Sequence, residues 1–203
     1  VLHIMAAEKD AVLCIFPADH VIQDTDGFHE QLKAAIALAG DGFIVTFGIQ
    51  PHYPETGYGY VEGGKKLSHG ALALKRFVEK PDLATAQKYI KAGNFFWNSG
   101  MFAFKASVIL AEFKIHQPEL LGNMQAVFTV DKPITRKNYD QLADISIDYA
   151  IMEKTTKGVV LPSDFGWSDI GSWKSLYDFL GKDANNNVIA GDVMVQNTRN
   201  SLI

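Results

Sequence analysis

Six apolar residues, Ala11-Val12-Leu13-Cys14-Ile15-Phe16, stop at Pro17-Ala18-Asp19-His20. The run is too short to make a helix alone; Val12, Ile15 and Phe16 favour extended backbone, and Pro17 has no N–H to continue a central ladder. It predicts a buried strand that delivers one carboxylate, Asp19, to the open end of a sheet, where α/β folds do chemistry. Phe28, Leu32, Ile36 and Ala39 then recur every three or four residues, with Asp24 and Asp26 in front and Gly40 behind. That spacing predicts a capped amphipathic helix. Phe43-Ile44-Val45-Thr46-Phe47-Gly48 is a second β-rich run, so strand, helix, strand predicts an α/β domain with a mostly parallel sheet and flanking helices.

Further helices are expected over residues 83–92, entered through Pro81-Asp82 and closed by Gly93, from Ser107 as a cap, from Pro118, and from Ser172 to Leu180. Strands are expected over 58–62, 74–79 and 100–104. The one linker-like composition is Asp183-Ala184-Asn185-Asn186-Asn187, followed by a short alternating pattern from Val188. With 203 residues, 47% hydrophobic and 21% charged, the chain can bury one sizeable core and not two. A net charge of −4 with no Lys/Arg stripe argues against a nucleic-acid partner. No apolar stretch approaches the ~18 residues of a membrane span. The single cysteine, Cys14, reads as a core residue, and the lack of a disulfide framework suits a reducing cytoplasm.

Chemistry concentrates in a few loops. Phe165-Gly166-Trp167-Ser168-Asp169-Ile170-Gly171-Ser172-Trp173 surrounds one aspartate with glycines and tryptophans, as in a tight loop that approaches something closely. Asp169 alone could cap the helix from Ser172. Paired with Asp19, and with no Cys or His pair at ligand spacing, it suits a hard divalent cation such as Mg²⁺ shared with substrate phosphates. In Arg76-Phe77-Val78-Glu79-Lys80-Pro81, Glu79 and Lys80 at a strand end point to opposite faces, one toward a hydroxyl and one toward an anion. In Pro54-Glu55-Thr56-Gly57-Tyr58-Gly59-Tyr60 the glycines free backbone N–H groups for a ligand and the tyrosines suit a sugar ring, a hairpin with core aromatics being the alternative. Phe96-Trp97-Asn98-Ser99-Gly100 embeds a polar triplet in an apolar loop, where a buried amide needs partners. Asp24-Thr25-Asp26 has a metal-ligand spacing, but its place at a helix start explains it. The six histidines read as structural or surface residues.

Together, Phe16-Pro17-Ala18-Asp19-His20-Val21-Ile22, the segments 46–49, 55–60, 77–81, 97–102 and 146–154, and Gly166-Trp167-Ser168-Asp169-Ile170-Gly171-Ser172-Trp173 resemble bacterial mannose-1-phosphate guanylyltransferases in order and spacing. The resemblance implies a Rossmann-like nucleotidyltransferase fold that joins GTP and mannose 1-phosphate into GDP-mannose with release of pyrophosphate; the alternatives are the same chemistry on another pair, UTP or dTTP with glucose 1-phosphate, and a non-catalytic sugar-phosphate-binding module. By that resemblance Asp19 and Asp169 hold Mg²⁺ and Lys80 meets the sugar phosphate. Gly59, Glu79 and Asn98 contact the sugar by the same resemblance; Tyr60, from the aromatic loop above, and Asp148, with no assigned role, complete the substrate-binding set. The family's glycine-rich nucleotide loop would precede residue 1, so both ends read as cut and the chain by itself is expected to turn over little. Residues 1–182 read as the catalytic domain, and 183–203 as a linker and the start of a C-terminal β segment. Self-association into a homo-oligomer is left open.

Overall fold

Side chains alternate between the two faces of a strand, so the apolar pattern of each strand sets which layer it joins. The computed structural model describes residues 1–7, 10–128 and 133–203. In chain order the elements are α1 (Leu2–Ala7), β1 (Val12–Ile15), β2 (Val21–Ile22), α2 (Thr25–Gly40), β3 (Ile44–Ile49), β4 (Tyr60–Lys66), β5 (Leu72–Val78), α3 (Leu83–Ala92), β6 (Phe95–Lys105), α4 (Ala106–His116), α5 (Pro118–Val127), α6 (Arg136–Tyr139), a π-turn over Asp148–Met152, β7 (Gly158–Ser163), β8 (Trp167–Ser168) and α7 (Trp173–Phe179). Six strands form one sheet in the order β1-β6-β3-β7-β5-β4, and β2 and β8 form a separate ladder. Val45, Phe47, Ile49, Tyr60, Trp97 and Leu161 face one layer with Leu38 and Ala39 of α2 and Tyr89 of α3. Ile44, Val61, Phe96, Phe102 and Val160 face the other with Ile109 of α4 and Ile151 of the π-turn.

The mixed α/β class with flanking helices is the expected one, but its strand order adds something the local pattern does not contain. β1, β3, β7 and β4 run in one direction, while β6 and β5 lie between them antiparallel. Among the described strands, β3 and β7 are therefore the one parallel hydrogen-bonded pair. β6 makes this possible because it is 11 residues long. Its first half pairs with β4 and its second half with β1, and Gly100 between them takes φ +70°.

Several local expectations change. β1 is an edge strand bonded to β6 alone, so Ile15 and Phe16 are exposed instead of buried. The stripe of α2 is carried by Phe28, Leu32, Ala35, Leu38 and Ala39, which leaves Ile36 outside it at 42% exposure. Ser107 lies inside α4 and caps nothing; instead Asp10, at the start of the β1 segment, accepts its N–H at 3.0 Å and its hydroxyl at 2.8 Å. The caps at Asp24 and Asp82 are as expected, each side chain accepting a first-turn N–H, and Gly93 closes α3 in the left-handed region; Ser172, not Asp169, caps α7. Residues 183–187 are a tied turn: Asp183 accepts the N–H groups of Asn185 and Asn187, and Asn187 is buried. Val188 then makes a parallel bridge to Leu202.

Candidate functional site

The bend of β6 opens a pocket between the ends of β4, β5 and the π-turn. It is lined by His20, Tyr58, Gly59, Glu79, Asn98, Asp148, Trp167 and Asp169, among others. Asn98 sits on a strand, not in a loop, and three neighbours fix it. Its N–H donates to the Gly59 carbonyl at 2.8 Å, its Oδ1 accepts the Thr46 hydroxyl at 2.7 Å, and its Nδ2 donates to Asp148 Oδ1 at 3.1 Å. One amide thereby links β3, the 55–60 loop and the π-turn, and its orientation is set before any ligand arrives. π-turns recur at functional sites because they re-aim a side chain out of a helical path. Here the turn begins at Asp148, whose carboxyl is pushed up to about 6 by burial and then by the charge of Glu79. The acid is therefore partly protonated just below neutral pH, able both to donate and to accept.

Gly59 has no room for a side chain. A Cβ there would lie 2.6 Å from Glu79 Oε2 and 2.9 Å from the Phe77 ring, so the close approach of this loop to Glu79 requires glycine. Glu79 and Lys80 do not point to opposite faces. β5 ends at Val78, Lys80 takes φ +43°, and its Nζ comes back to 3.7 Å from Glu79 Oε1. The alternation rule fails here because it holds only while the backbone stays extended. Lys80 Nζ remains largely solvated, with 63% of the side chain exposed, at the rim of the pocket.

Tyr60, expected in the substrate-binding set, does not line the pocket. It is fully buried, packs against Tyr89 and donates its hydroxyl to the Glu55 carbonyl at 2.8 Å. It is the first residue of β4 and lies in the core layer with Tyr89 and Phe95. Tyr58, two residues earlier, lines the pocket instead and donates to Asp169 Oδ1 at 2.7 Å.

The small ladder brings the two aspartates to the same end. Val21 pairs with Ser168 and Ile22 with Trp167. The next positions outward are His20 on one strand and Asp169 on the other, with Asp19 one residue further. Asp169 Oδ1 accepts both the Tyr58 hydroxyl and the Gly171 N–H. Asp19 has a side chain 87% exposed. Among the described residues no group of three or more His, Cys, Asp or Glu side chains gathers as a metal cage. Two hard oxygen donors on one ladder end fit a divalent cation whose remaining positions are filled by water and phosphate oxygens, the usual habit of Mg²⁺. Mg²⁺ is thus compatible with the pair, and a thiolate or imidazole metal is not favoured.

Sequence pattern does not single out His20 and Trp167 as site residues. The Trp167 indole N–H donates to His20 Nδ1 at 3.1 Å, which leaves the imidazole proton on Nε2. A histidine beside a candidate aspartate is a faint signal, and only the pairing of β2 with β8 makes it a site residue.

The nucleotidyl transferase family model matches residues 1–186. This family generally uses a divalent metal. The chain is 43% identical over 201 residues to a mannose-1-phosphate guanylyltransferase of Sinorhizobium fredii, covering 96% of this chain and 39% of that protein. It is 46% identical over 198 residues to the xanthan biosynthesis protein XanB of Xanthomonas campestris pv. campestris, covering 95% and 42%. The crystal structure of mannose-1-phosphate geranyltransferase from Thermus thermophilus superposes with a TM-score of 0.81 at 34% identity, over 94% of this chain and 56% of that one. The chain spans about two fifths of the length of the curated relatives it matches. Among the described residues no helix is long and apolar enough to cross a membrane.

Proposed function

This chain belongs to the nucleotidyl transferase family, and from that premise we propose that the protein it comes from joins GTP and mannose 1-phosphate into GDP-mannose, releasing pyrophosphate. The observation that supports this most is the convergence of Gly59, Glu79, Asn98, Asp148 and Asp169 on one pocket, in a chain 43% identical to a mannose-1-phosphate guanylyltransferase. A pocket of neutral and acidic acceptors beside a lysine suits a hexose with a phosphate at its edge.

In this reading a phosphate oxygen of the sugar phosphate attacks the α-phosphorus of GTP, a new P–O bond forms, and the bond to the β-phosphate breaks. The side chains position and neutralise; none is consumed. Asn98, Glu79 and Asp148 hold hydroxyls of the sugar, and the backbone at Gly59 closes against its ring. Lys80 meets the sugar phosphate and orients its attacking oxygen. Asp19 and Asp169 would hold Mg²⁺, which when bound neutralises phosphoryl charge. We place the protein in the cytoplasm, where the half-buried free thiol of Cys14 stays reduced. We read residues 1–182 as the catalytic unit and 183–203 as the passage into a β segment, a reading the Val188–Leu202 bridge supports.

The test is pyrophosphate release by the full-length parent protein across the four NTPs and several sugar 1-phosphates. GTP with mannose 1-phosphate should exceed every other pair by at least roughly tenfold, the scale of one good polar contact. A different preferred pair overturns the substrate assignment, and a complete lack of Mg²⁺-dependent release overturns the catalytic reading.

A further inference from the structure

We infer that Tyr58 is the positioning residue of the cation site: its hydroxyl holds one oxygen of Asp169 so that the other faces the metal. The inference rests on the metal role proposed above for Asp169. The two oxygens of this carboxylate differ. Oδ1 accepts two hydrogen bonds, from the Tyr58 hydroxyl at 2.7 Å and the Gly171 N–H at 3.0 Å. Oδ2 has no hydrogen-bond donor among the described residues, and a Cβ on Gly171 would lie 2.7 Å from it. A carboxylate with one oxygen saturated by donors presents the other to a cation in a fixed direction, the part that outer partners commonly play around metal ligands.

The donor itself is held on three sides. The Tyr58 ring lies edge-on to Trp97 at 5.3 Å and to Trp167 at 5.5 Å. The Cα of Tyr58 is bonded to the peptide that leads into Gly59, whose carbonyl accepts the Asn98 N–H. The same residue therefore belongs to the loop that approaches the sugar and to the carboxylate that approaches the metal. Through it, ordering of that loop is transmitted to the direction of Asp169.

The experiment uses Tyr58→Phe in the full-length parent, a change that keeps the ring between the two tryptophans and removes one O–H. Mn²⁺ binding is read by electron paramagnetic resonance in the absence of nucleotide, beside turnover and thermal midpoint. We expect Mn²⁺ affinity to fall roughly tenfold or more, with kcat falling more than KM for mannose 1-phosphate changes. In an Asp169→Asn background the same substitution should add nothing further, since the two act as one unit. A role confined to tying down the loop would move the thermal midpoint and leave the Mn²⁺ dissociation constant alone. Mn²⁺ affinity within twofold of wild type, or an effect that adds fully to Asp169→Asn, overturns the inference while leaving the proposed reaction standing. Loss of Mn²⁺ affinity in a parent that releases no pyrophosphate supports Tyr58 and overturns the reaction instead. A wild-type parent that binds no Mn²⁺ without nucleotide overturns the inference, and the reaction is then judged by pyrophosphate release alone.

Discussion

Two halves of one pocket are built on opposite physical terms. The side facing Asn98 is tied together before any ligand arrives: Thr46, Asn98, Asp148 and Gly59 form a continuous set of hydrogen bonds, and Thr46 is fully buried. The side where the proposed phosphates would lie consists of charged groups in water, Asp19 with 87% and Lys80 with 63% of the side chain exposed. A buried amide or carboxyl without partners is costly, so groups that read neutral hydroxyls must be satisfied by the protein first. Full charges are costlier still to desolvate, so they remain solvated until opposite charge is present. Asp169 stands between the two regimes, one oxygen tied and the other open.

If this contrast is right, substitutions on the tied side disturb stability and activity together, and those on the solvated side disturb activity alone. Asn98→Ala has the largest expected effect. It takes away the acceptor of Thr46 and the donor to Asp148, destabilising the fold by about 1–3 kcal/mol and lowering kcat/KM for mannose 1-phosphate roughly a hundredfold. Chemical denaturation and pyrophosphate assays check both; unchanged stability would break the contrast. Lys80→Ala should lower turnover roughly tenfold to a hundredfold, from the ~1.5–3 kcal/mol of a charge-assisted contact. Stability should stay within about 0.5 kcal/mol, as for other exposed sites. Activity within about threefold of wild type would remove Lys80 from the site.

Asp148→Asn is the finest probe. A carboxyl raised to about 6 binds its proton more tightly folded than unfolded, so it lowers stability as pH rises from about 4 to about 6 and holds it lower above that. Asparagine keeps an acceptor for Asn98 and cannot ionise. Relative to pH 3.5, the variant should therefore gain about 3 kcal/mol over wild type at pH 7. Thermal midpoints across that range decide it, and a variant that shows the same pH slope would mean that Asp148 is not the group responsible.

Much of the fold is legible because it depends on short-range rules. The caps of α2 and α3 at Asp24 and Asp82, the left-handed end at Gly93 and the proline start of α5 each follow from residues three or four apart. The candidate site residues Asp19, Gly59, Glu79, Lys80, Asn98 and Asp169 stand out by residue type beside glycine, proline and tryptophan, whereas Asp148 enters only through the family resemblance. Each of them lies in the pocket, at its rim or at the open end of the β2–β8 ladder, and Asp148 is joined to the rest by its bond to Asn98. What the pattern missed lies at longer range. Tyr58 and Tyr60 are equivalent as letters, but Tyr60 begins β4 and is fully buried, while Tyr58 precedes the strand and its hydroxyl reaches Asp169. β1 has the composition of an interior strand and lies at an edge, because its neighbour is fixed by where β6 runs.

By itself the chain determined its alternating α/β elements, its helix ends and the residues capable of carrying phosphate chemistry, since each depends on backbone preference or side-chain chemistry over a few positions. Tertiary structure alone decided which of them meet. Thr46 and Asn98 are 52 residues apart, Asn98 and Asp148 50, Tyr58 and Asp169 111, and His20 and Trp167 147. Such contacts form only after strand order, strand parity and the turn in β6 are set by packing of the whole sheet, and no local preference specifies them.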